Sequence, residues 1–63
     1  MNNFAQVSLE QFIDQLTGMY DLVYCNYAGK RVDVYSDDEP VGFYNLDRKS
    51  GWFKKDRKEP YHG

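Results

Sequence analysis

The chain has 63 residues, room for one small domain and no second. Hydrophobic residues make up 41% and aromatic ones 17%, which argues against disorder, while charges or amides break every apolar run before the roughly 18 residues a membrane span needs. The net charge of −2 is unevenly spread, with −3 over residues 1–28, −3 over 29–47 and +4 over 48–63, so an acidic body carries a basic C-terminal end.

The first local signal is Val7-Ser8-Leu9-Glu10-Gln11-Phe12. Ser8 can accept from the N–H of Gln11 while Gln11 reaches back to the N–H of Ser8, a capping box, and Val7 with Phe12 can close as a hydrophobic staple. Leu9, Phe12, Ile13, Leu16 and Met19 then fall on one stripe of a helix, with Glu10, Gln11, Asp14 and Gln15 on the other. Gly18 supplies a C-terminal stop through its freedom to take positive φ. The pattern predicts a helix from Leu9 to Thr17.

Beyond Gly18 the composition turns to strand formers. Tyr20 to Tyr27 reads as a first strand and Lys30 to Ser36 as its partner, joined by Ala28-Gly29. Counting outward from that loop pairs Tyr27 with Lys30, Cys25 with Val32 and Val23 with Val34. Val23, Cys25, Val32 and Val34 then share the face that the helix covers. Asp37-Asp38-Glu39-Pro40 reads as a polar connection, Val41 to Leu46 as a third strand, Asp47 to Gly51 as a turn and Trp52 to Lys55 as a short fourth strand. One loop length in this last hairpin pairs Tyr44 with Phe53 and another pairs Leu46 with Trp52; the sequence leaves both open. From Asp56 onward the chain is charged, contains Pro60 and has no apolar period, so residues 56–63 read as a flexible tail. The expected architecture is α+β: one N-terminal helix packed on one face of a three- to four-stranded antiparallel meander, αββββ, with residues 1–63 as a single small domain.

Two surfaces carry the functional reading. On the sheet face away from the helix the register places Leu22, Tyr24 and Tyr35, with Tyr44 and Phe53 as further members. An open aromatic face of this kind suits a protein partner or a second copy of the chain. The segment from Arg48 to Lys58 surrounds Trp52 and Phe53 with Lys54, Lys55, Arg57 and other cations, a composition that suits an acidic partner or single-stranded nucleic acid.

Other features argue for structure rather than chemistry. Cys25 is the lone cysteine, which excludes an internal disulfide and a cysteine-rich zinc site, and its place opposite a valine predicts an inert core thiol. Asp37-Asp38-Glu39 lacks the ligand spacing of a calcium loop. His62 has no fixed neighbours in sequence, and the glycines do not approach a phosphate-binding spacing. No catalytic residue, metal ligand or cofactor is therefore expected, and no membrane association. The start Met1-Asn2-Asn3-Phe4 lacks a basic, apolar leader, which with the single thiol predicts a cytoplasmic protein. The leading expectation is a non-enzymatic binding protein that regulates or inhibits a larger protein through Leu22, Tyr24, Tyr35, Tyr44 and the segment Trp52, Phe53, Lys54, Lys55 and Arg57, as bacterial or phage regulators do. The alternative is a small single-stranded nucleic-acid-binding protein using residues 48–58.

Overall fold

The structure, a computed structural model, describes residues 3–4 and 7–62. Its elements in chain order are β1 (Asn3–Phe4), α1 (Leu9–Thr17), β2 (Val23–Ala28), β3 (Arg31–Ser36), β4 (Glu39–Asn45) and β5 (Ser50–Phe53). Strands β2 to β5 form an antiparallel meander and α1 packs on one of its faces, the expected αββββ arrangement. The short β1 adds to the free side of β5, giving the sheet order β1-β5-β4-β3-β2.

Helix α1 begins as its sequence dictates. The Ser8 Oγ accepts from the N–H of Gln11 and the Gln11 Oε1 accepts from the N–H of Ser8, both at 3.2 Å. Just before the cap, the N–H of Val7 donates to the Lys49 carbonyl at 3.0 Å and the Tyr44 hydroxyl donates to the Val7 carbonyl, so β4 and its following loop fix where the helix starts. The end of the helix departs from expectation. Gly18 caps it with φ −77° and ψ −15°, a right-handed conformation that makes no use of glycine's freedom, and the N–H groups of Met19 and Tyr20 donate back to the Leu16 carbonyl. Met19 is left exposed, whereas Tyr20 turns into the core instead of opening a strand.

Each hairpin is set by its turn. The loop between β2 and β3 is Gly29-Lys30, one residue later than expected, and Gly29 has φ +65°. Positive φ at the first loop position alone is what a type II′ hairpin loop requires, and glycine accepts it without strain. The corrected pairs are Tyr27 with Val32, Cys25 with Val34 and Val23 with Ser36. Moving the loop by one residue shifts the pairing by two, which preserves the alternation of faces, so the valines and Cys25 still point toward the helix. Between β3 and β4, Asp37 and Asp38 both have positive φ, 53° and 65°, as a type I′ loop demands. What reads in sequence as a polar connection is thus a two-residue turn with Glu39 and Pro40 already in strand. A bulge follows, with Val34 opposite Gly42 and Tyr35 opposite Pro40. The extra residue, Val41, is fully buried, and its carbonyl accepts from the N–H of Lys54 at 2.7 Å.

The loop from β4 to β5 is Leu46–Lys49, giving Tyr44 opposite Gly51, Phe43 opposite Trp52 and Gly42 opposite Phe53. Neither pairing left open by the sequence is the one adopted. Tyr44 and Phe53 consequently face the helix and belong to the core with Phe12, Leu16, Tyr20, Val32, Val34 and Val41, a correction to their expected place on the open face. Phe12 sits at the centre, its ring 5.4 Å from that of Tyr44 and 6.0 Å from that of Phe53. Gly51, opposite Tyr44, leaves the space that the Phe12 ring fills, and Gly42, opposite Phe53, lets β4 and β5 approach closely.

Candidate functional site: the aromatic face of the sheet

Alternation along the corrected register gives the face opposite the helix three rows. Tyr24, Tyr35 and Pro40 form the row nearest the Asp37-Asp38 turn; Asn26, Asp33, Phe43 and Trp52 form the next; Ala28, Arg31, Asn45 and Ser50 form the last. The first row contains a cross-strand stack, Tyr24 on Tyr35 at 5.3 Å between centroids and 11° between planes. The Tyr24 hydroxyl donates to Asp38 Oδ1 at 3.2 Å, and burial, followed by that carboxylate, pushes the phenol up from its ordinary pKa. In the second row the rings of Phe43 and Trp52 lie 6.2 Å apart. Arg31 reaches across from the third row, its guanidinium carbon 4.3 Å from the Phe43 centroid while its Nε donates to Asp33 Oδ1 at 2.8 Å. A guanidinium pinned over a ring by an adjacent carboxylate is a pre-oriented group.

Tyr61 and His62 fold onto this face. Tyr61 and His62 each meet the indole of Trp52 edge-on at 5.4 Å, and burial, the largest cause, raises the phenol pKa of Tyr61. The face therefore carries two groups of rings, Tyr24 with Tyr35 and Phe43 with Trp52 and Tyr61, with Arg31 and Asp33 as its charged pair.

The basic segment is taken apart by the fold. Trp52 and Phe53 are neighbours in a strand and so point to opposite faces, Phe53 into the core. Lys54, expected as a surface cation, is only 3% exposed. Its Nζ donates to Glu39 Oε2 at 3.0 Å and to the Arg57 carbonyl at 2.9 Å. Arg57 donates to Glu39 Oε1 at 3.0 Å and to Ser36 Oγ at 2.6 Å, and it lies over the Tyr20 ring. The Tyr20 hydroxyl donates to the Lys54 carbonyl at 2.6 Å, and Ser36 Oγ donates to the Asp21 carbonyl. These residues bind one another and anchor the segment after β5 to the end of the sheet. Burying an ammonium is tolerable only with such a set of partners. Of the cations named from sequence, Lys55 is exposed, and its backbone N–H is held by Glu59 Oε1 at 2.6 Å.

Of the residues expected on the open face, the structure places Tyr24 and Tyr35 there, and Trp52, expected only as part of the basic segment, joins that face. Leu22 lies outside the strand with φ +54° and is 73% exposed. Arg31, Phe43 and Tyr61 were not anticipated. Phe43 had a legible signal: pairing it with Trp52 places Gly51 on the helix side, where Phe12 needs room. The docking of Tyr61 had none, because no periodicity links a tail to a sheet.

Among the described residues no group of three or more His, Cys, Asp or Glu side chains is placed to hold a metal ion, and no helix is long and apolar enough to cross a membrane. Comparison with known proteins finds no family model, no curated relative and no solved structure that matches this chain.

Proposed function

We propose that this chain is a non-enzymatic binding protein that regulates a larger protein by docking the aromatic face of its sheet onto it. The observation that carries this reading is the two groups of rings, Tyr24 with Tyr35 and Phe43 with Trp52, across four strands, with Arg31 held over Phe43. Tyrosine, tryptophan and arginine are the residue types enriched where interfaces draw most of their affinity, since each brings a large contact area and a polar end at modest entropic cost. Rigid strands present these groups already ordered, so little freedom is lost on docking. The nucleic-acid alternative is less favoured, since Lys54 and Arg57 are engaged within the protein and Phe53 lies in the core.

The test is affinity capture from the host lysate with the native chain and with Tyr35→Ala and Trp52→Ala. A specific protein bound by the native chain, retained after nuclease treatment and weakened about thirtyfold or more by either variant at unchanged circular dichroism, is the expected result. Equal capture by all three proteins, or capture that disappears with nuclease, refutes it.

A further inference from the structure

We infer that the outer edge of β2 is a self-association surface, at which two copies of this chain pair their β2 strands antiparallel about a twofold axis through Cys25. This surface is distinct from the aromatic face and stands independently of the function proposed for it.

Strand β2 is the last in the sheet order, and among the described residues no strand pairs with its outer side. With a two-residue loop, Ala28 and Arg31 close the hairpin as a hydrogen-bonded pair, and bonding alternates from there. Ala28, Asn26 and Tyr24 therefore direct their backbone groups to β3. Tyr27, Cys25 and Val23 direct theirs outward. Natural edge strands are guarded by lysine, proline, inward charge or a bulge. The sequence Val23-Tyr24-Cys25-Asn26-Tyr27-Ala28 has no charged residue and no proline, and its pairing with β3 is regular throughout. Exposed apolar side chains flank it, Leu22 at 73% and Tyr27 at 63%, and a shallow groove between helix and strand runs beside it, lined by Leu9, Ile13, Cys25 and Tyr27 with Glu10 and Asp14 at the helix.

The occupant is argued from self-complementarity. In antiparallel pairing with a second copy, the outward bonding groups at 23, 25 and 27 meet the outward groups at 27, 25 and 23 of that copy. Centring on Cys25 pairs Val23 with Tyr27 of the second copy, Cys25 with its equivalent and Tyr27 with Val23, each exchanging both backbone bonds, roughly six in all. Sliding by two residues loses one of these pairs, and sliding by one leaves donors facing the wrong positions. The same register sets Tyr24 opposite Asn26 on the outer face. Two copies joined in this way share one continuous sheet and extend the aromatic face across the axis.

Amide exchange read by NMR, together with sedimentation mass, tests this on the purified chain in reductant, so that no disulfide contributes. The expected result is a mass that doubles with concentration, with exchange at Val23, Cys25 and Tyr27 slowed about tenfold or more while Tyr24, Asn26 and Ala28 stay as they were. Cys25→Lys, which opposes two like charges at the axis, abolishes the dimer, and Cys25→Ser retains it. A chain that remains monomeric at high concentration overturns the inference. So does a dimer in which those three amides still exchange fast, or protection that appears only when another protein is added.

Discussion

Gly51 lies opposite Tyr44 on the helix-facing side of β5, and a Cβ there would stand 2.5 Å from the Phe43 carbonyl oxygen and 2.9 Å from Cε1 of Phe12. The first clash is with backbone and the second with a fully buried ring, so neither neighbour can swing aside. Gly51→Ala is expected to destabilise the fold by about 1–3 kcal/mol, read as a lower urea midpoint at unchanged slope; a midpoint equal to that of the native chain refutes the close-packing account. Glu39 makes a different prediction. Hydrogen bonds from Lys54, and then from Arg57, hold its carboxyl below the ordinary range for glutamate, with burial opposing them. A folded value below the unfolded one contributes stability that is fully present above the unfolded value and is lost as pH falls through the folded value. Stability should therefore decline on acidification below about pH 4.3, and Glu39→Gln should flatten that segment of the profile while lowering stability at neutral pH, where Lys54 loses its anionic partner. Parallel urea-midpoint profiles for the two proteins would show that the pair does not carry this pH dependence.

Helix α1 has nine residues, too few to persist alone, so its cap and its buried stripe must hold it. Phe12 and Leu16 supply the stripe and Ser8 the cap. Ser8→Ala removes the acceptor for the Gln11 N–H and is expected to cost about 1 kcal/mol, measurable as a shift of the thermal midpoint, with Ser8→Asp restoring most of it. No recovery in Ser8→Asp would mean that the hydroxyl acts elsewhere than at the cap. Element identity was legible for all of the larger pieces because each carries its own period: the stripe of α1, and the alternation of Val32 and Val34 with Asp33 and Tyr35 in β3. Boundaries and register were less so. Asp37 and Asp38 adopt positive φ in a turn that glycine or asparagine more commonly fills, and the bulge at Val41 inserts a residue that simple alternation cannot anticipate.

Across the whole molecule, the segment after β5 binds both faces of the sheet. Arg57 clamps to Ser36 and Glu39 at the sheet's end, and Tyr61 with His62 then meets Trp52 on the open face. Removing residues 60–63 should leave the fold intact by circular dichroism and shift the emission of Trp52, the single indole, to longer wavelength as water reaches it. Unchanged emission would place Tyr61 and His62 away from the indole in solution. The sequence by itself determined the helix and its cap, the fold class and the order of strands β2 to β5 but not β1, and the sorting of the β2–β3 hairpin into a valine face and a tyrosine face. All of these depend on residues close together in the chain, and a two-residue error in pairing leaves the faces unchanged. The tertiary structure alone decided that Tyr44, Phe53 and Lys54 turn inward while Phe43 and Trp52 turn out. That choice rests on the space Phe12 needs beside Gly51, and on the partners that Glu39, Arg57 and Tyr20 bring to a buried ammonium and its strand from distant parts of the chain.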